Sequence, residues 1–197
     1  MRLAQQLPRR QVALKRENQA MAPVDFLART ETIDPESVAS DMGDLAARVR
    51  NLMALQQQQV VQLPLGGRFF DIVVTASGPQ AHAAMAVLDE IQNPGDERAD
   101  ACGPVIEDPQ RSWLIWLVPP GTSDQWVPHR SAVCLGRPHQ IALPSMMQLD
   151  PPGPYWLRPC RGDRLVPPAA LRNLLDQFQP GPPPHETLLG RVLSSIS

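Results

Sequence analysis

The stretch Phe69-Phe70-Asp71-Ile72-Val73-Val74 decides the reading of this chain. It is an almost unbroken apolar run, rich in aromatic and β-branched side chains, and predicts a strand buried on both faces. Leu65-Gly66-Gly67-Arg68 precedes it, and before that comes Val60-Val61-Gln62-Leu63, a second short strand pattern. Gly-Gly between two strand patterns is a hairpin signal, so a tight turn joining two paired strands is expected. A phosphate-cradling loop would need a helix directly after the glycines, and none is predicted there. Asp71 is the one acid in the apolar run. A carboxylate in such a place must be solvated at the strand end, paired, or bound to a metal, because burying it bare is costly.

Upstream, Asp34-Pro35-Glu36 carries an N-cap and a proline at the first helical position. Val38, Met42, Leu45, Val49 and Leu52 then recur at four-three spacing, predicting an amphipathic helix from Pro35 to about Gln58. Downstream, Pro79 to Ile91 returns to a helical period with Ala84, Leu88 and Ile91 inward, and Pro94-Gly95 stops it. Val105-Ile106 and Trp113–Val118 read as strands, followed by shorter ones at Ala132–Leu135, Gln140–Leu143 and Tyr155–Leu157. A last helix from Pro168 to Phe178 presents Leu171, Leu174, Leu175 and Phe178. The order predicts an α+β fold, a mixed or antiparallel sheet with a few flanking helices. Its organisation reads as a flexible basic arm over 1–22, a helical lead-in over 23–59, an α+β domain over 60–178 and a Pro-rich tail over 179–197.

Composition narrows the function classes. The chain has 197 residues, 43% hydrophobic and 19% charged, enough for one core. Its 23 prolines exceed the usual share of about 5%, which leaves room for only a few helices. A net charge of −2 gives no general attraction to nucleic acid or to an anionic membrane. The arm holds Arg2, Arg9, Arg10, Lys15 and Arg16 against Glu17 alone. No apolar run reaches the length of a membrane span, and no signal-peptide pattern opens the chain, so a cytoplasmic location without membrane contact is expected.

Cys102, Cys134 and Cys160 are odd in number and far apart, which argues against a disulfide framework or a zinc site. His82, His129, His139 and His185 share no metal-ligand spacing. No serine sits in a nucleophile elbow. Arg161-Gly162-Asp163 reads as a turn.

One longer pattern goes further. Gly136-Arg137-Pro138-His139-Gln140-Ile141-Ala142-Leu143-Pro144-Ser145, followed by Tyr155-Trp156-Leu157, resembles the N-terminal domain of bifunctional DNA primase/polymerases. In that family a Gly-Gly-aromatic turn leads into an apolar strand ending Pro-Pro-Ser, then an aromatic-Trp-Leu strand. Pro109–Trp116 with Val118-Pro119-Pro120-Gly121 is similar to the family's Pro-Ser-Gly-Gly-His-strand-Pro segment, and Phe70–Val73 falls where its Asp-x-Asp strand belongs. The likeness covers about residues 60–178 and is nearest to short, divergent actinobacterial members. It implies a primase-polymerase-like fold, a role in replication, and two divalent metals held by acids.

The departures matter as much. Asp71 keeps the first acid as the remnant of a metal ligand, but the second position is Val73, the histidine position is Trp113, and the third acid falls near Ala132. Asp124 lies outside the predicted strand. The expectation is therefore a domain that has lost its metal site, needs no cofactor, and binds a nucleotide, a single nucleic-acid strand or a protein partner. The binding residues expected around the old cleft are Arg111, Trp113, Arg130, Arg137, His139, Arg158 and Arg161. The alternative is an active DNA primase/polymerase, a nucleotidyltransferase using Mg or Mn on Asp71. A second alternative is a structural protein that self-associates through the 35–58 helix.

Overall fold

The computed structural model describes residues 35–54, 60–92, 102–160 and 164–181, together with Leu189 and Leu193. The basic arm, Asp34, Gln56–Gln59, Pro94-Gly95, Arg161 and Pro182–Pro184 lie outside the described residues. No helix in the described part is long and apolar enough to cross a membrane.

The fold is α+β with antiparallel sheets. Strands β2 (Asp71–Ala76), β3 (Val105–Asp108), β4 (Trp113–Val118), β5 (Val133–Leu135) and β7 (Tyr155–Arg158) form a five-stranded sheet in the order β5-β2-β4-β3-β7. Strands β1 (Val61–Pro64) and β6 (Gln140–Leu143) form a separate pair, with Val61 opposite Leu143. β2 is an inner strand, antiparallel to β4 on one side and to the edge strand β5 on the other.

The period-2 alternation of β2 divides the core. Ile72 and Val74 face a layer made by the β1–β6 pair and helix α1 (Pro35–Ala54), where Val49 is buried and Leu45 and Leu52 are half-buried. The helix over 35–54 thus packs into the same core as the strands. Val73 on the other face joins Leu114, Trp116 and Val118 beneath helices α2 (Pro79–Gln92) and α4 (Pro168–Phe178). Trp116 is fully buried there, and its indole N–H donates to Thr75 Oγ1 at 3.1 Å, so its polar end costs nothing.

Two expectations are corrected. β1 and β2 are not a hairpin, since β1 pairs with β6 and β2 with β4 and β5. The turn between them is real, with Gly66 and Gly67 at φ of 73° and 66°, but it passes the chain from one sheet to the other. Ile91 is 54% exposed rather than inward. The buried stripe of α2 is Ala81, Ala84, Met85 and Leu88. At 3.6 residues per turn Ile91 falls about 80° from Ala81, beyond that stripe.

Candidate functional site

Asp71 opens β2 opposite Val118, at the end of the sheet where β4 runs into Pro119-Pro120-Gly121. The short helix α3 (Thr122–Gln125) follows and brings the Ser123 backbone N–H to Asp71 Oδ2 at 2.8 Å. The carboxylate is 0% exposed, and its Oδ1 has no hydrogen-bond partner among the described residues. A buried charged oxygen without a donor is an expensive feature, of the kind native cores avoid.

The neighbourhood explains the glycines. A Cβ on Gly66 would lie 3.0 Å from Arg137 Cγ and 3.3 Å from Asp71 Oδ1, and a Cβ on Gly67 would collide with the Arg137 guanidinium. A Cβ on Gly136 would collide with Ser123 Oγ and stand 2.9 Å from Asp71 Oδ1. Three glycines therefore let Arg137, the α3 turn and the Asp71 carboxylate crowd together. Between them is a cavity of about 300 Å³ lined by Gly66, Gly67, Asp71, Ser123, Asp124 and Arg137, among others. Among the described residues, no carboxylate forms an ion pair with Arg137.

Asp124 is the residue that sequence reasoning set aside. It stands on a helix of four residues, too short to leave a periodic signal, and α3 carries it to the Asp71 cavity. Both carboxylates are felt by Cys134 on β5: its thiol is pushed up to about 12, first by burial and then by the charges of Asp71 and Asp124.

The other nominated residues scatter. β2 and β4 are antiparallel, so Trp113 pairs with Ala76 while Asp71 pairs with Val118. Five residues at about 3.4 Å each put Trp113 some 17 Å along the strand from the acid. Trp113 therefore does not occupy a position beside Asp71. It lies instead beneath Arg111, whose guanidinium is 5.7 Å from the Trp113 ring centroid and 2.6 Å from Asp108 Oδ2. Those three side chains line a different, mainly apolar cavity of about 540 Å³. Arg158 is held by Asp89 of α2, with Nε and Nη2 donating to Oδ2 at 3.1 and 3.0 Å, and is a tie between β7 and α2. The His139 backbone bonds to Gly136 and Leu65 and shapes the turn around Arg137. Arg130 is exposed, and Arg161 lies outside the described residues. Of the expected set, the structure brings only Arg137 to the Asp71 cavity, while Arg111 and Trp113 share the other.

The metal centre implied by the resemblance can be tested against the donors. Two ions shared between nucleophile and triphosphate need several acids converging on one point. Here one oxygen of Asp71 already accepts the Ser123 N–H, and Asp124 is the second acid at the cavity. Among the described residues, no group of three or more His, Cys, Asp or Glu side chains could hold a metal ion. The donor set among the described residues does not fit a two-metal centre. Comparison of the chain with protein-family models, with curated proteins and with solved structures returned no match.

Proposed function

We propose that this is a primase-polymerase-like domain without a working two-metal centre, acting as an accessory module that binds a nucleotide in the Asp71 cleft. The observation that carries the reading is the pairing of opposites in one cavity. Arg137, with no carboxylate partner among the described residues, lines the same cavity as Asp71, whose Oδ1 accepts no hydrogen bond from them. The guanidinium suits a phosphate, which it grips through two parallel N–H donors. The carboxylate beside it suits a hydroxyl or amino group. A nucleotide carries both kinds of group.

The test is calorimetric titration of a deoxynucleoside triphosphate into the full chain, with and without Mn²⁺. Saturable heat that falls at least tenfold in affinity in Arg137→Gln is expected. Absence of heat under both conditions refutes the reading. One observation favours a second reading, nucleotidyl transfer anchored on Asp71: the arrival of Asp124 beside it. Primer extension that is lost in both Asp71→Asn and Asp124→Asn would establish that reading in place of the first.

A further inference from the structure

Across Pro120 and Gly121 from the Asp71 cleft lies another cavity, of about 420 Å³. Small-molecule sites commonly measure about 300–1,000 Å³ and combine apolar walls with a few placed polar groups. The walls here are Pro119, Pro120, Pro168, the Trp126 ring and Val127, a valine that is 62% exposed.

Among the described residues, Arg172 is the only charged one lining the cavity, beside the uncharged polar Thr122 and Gln125, and no acid lines it. Its guanidinium sits 5.3 Å from the Trp126 ring centroid, and Nη1 donates to the Val127 carbonyl at 2.6 Å, which fixes its position. Asp176, one turn further along α4, is engaged elsewhere: its Oδ1 accepts from His129 Nε2 at 3.0 Å. His129 Nδ1 in turn accepts the Ser131 N–H at 3.0 Å, so its proton is on Nε2 and points at Asp176. No carboxylate among the described residues pairs with Arg172. The Trp126 indole nitrogen is buried and has no acceptor in the described protein. A cation in an open, mainly apolar cavity that no acid among the described residues lines complements an anion on a hydrophobic body.

We infer that this cavity binds a small organic carboxylate. The hydrophobic body packs on the prolines and Val127, and the carboxylate accepts hydrogen bonds from Arg172. The inference does not depend on the nucleotide reading, since it uses neither Asp71 nor Arg137.

The test is fluorescence titration of the full chain with 8-anilinonaphthalene-1-sulfonate, an apolar ring system carrying one anionic group, followed by displacement with octanoate or octanol. Saturable binding is expected, with octanoate displacing the dye at concentrations at least tenfold below those octanol requires. Arg172→Gln is expected to weaken octanoate at least tenfold. Ala169→Trp adds bulk at an exposed position lining the cavity and is expected to abolish dye binding without disturbing the core. Equal displacement by octanoate and octanol overturns the inference. So does dye binding that persists in Ala169→Trp, or that is lost in Arg111→Gln at the other apolar cavity and unchanged in Arg172→Gln.

Discussion

Replacing Arg158 by alanine should destabilise the protein and leave nucleotide affinity unchanged. Two of the guanidinium's nitrogens donate to Asp89 Oδ2 at 3.1 and 3.0 Å, while Asp89 Oδ1 accepts the Cys102 N–H at 2.8 Å. One carboxylate thus ties β7, α2 and the start of the segment before β3. The side chains are 18% and 11% exposed, so water reaches the pair only in part. Breaking a fully buried pair costs about 3–5 kcal/mol, most of it from the charge left alone. Residual solvation of Asp89 discounts this to roughly 2–3 kcal/mol. In a domain of this size that lowers Tm by about 4–12 °C, at about 2–4 °C per kcal/mol. Urea unfolding followed by tryptophan fluorescence measures the loss directly. A double-mutant cycle with Asp89→Ala should return a coupling of about 1.5 kcal/mol or more. A loss below about 0.5 kcal/mol would refute the argument. So would weakened triphosphate binding in a variant of wild-type stability, which would return Arg158 to the binding surface.

Two other outcomes follow from the same geometry. Gly136→Ala inserts a methyl group between Ser123 and Asp71, and overpacking of this kind costs about 1–3 kcal/mol; unfolding at wild-type urea concentrations would mean that α3 moves aside freely. Tyr155 is the one tyrosine of the chain, so absorbance at 295 nm titrates it alone. Its hydroxyl donates to Glu107 Oε2 at 2.5 Å, and that bond, then burial, then the charge of Glu107 push it up to about 12. The folded state therefore holds this proton more tightly than the unfolded chain, whose phenol titrates near about 10. The associated stability is complete below about pH 10 and is lost as pH rises toward 12. Glu107→Gln should bring the midpoint down toward 10, and a wild-type midpoint already at 10 would remove the hydrogen bond from the account.

What was legible in the sequence was local. The four-three stripe of Leu45, Val49 and Leu52, the apolar run after Asp71, and Pro168 at the head of the last helix each depend on neighbours within a few residues. Those elements stand where their periods put them. Even the α+β class follows from their order. The exceptions fail for local reasons too: α3 is a single turn of four residues, and Ile91 sits just past the edge of its stripe.

Partner choice between strands was not legible, because an apolar pattern states that a strand is buried and not against what. Val60–Leu63 and Phe69–Val74 looked like the two arms of a hairpin, yet β1 was drawn to β6, about eighty residues away, and β2 to β4 and β5. The antiparallel register of β2 and β4 then sent Trp113 and Arg111 to the far end of the sheet from Asp71. It also left the chain leaving Val118 to wrap Ser123 and Asp124 around that acid. The sequence by itself determined which segments would be helices and strands, since periodicity, caps and prolines act over a few residues. Only the tertiary structure decided that Asp71, Asp124 and Arg137 would meet, because their meeting depends on strand register and on three glycines that leave room for it.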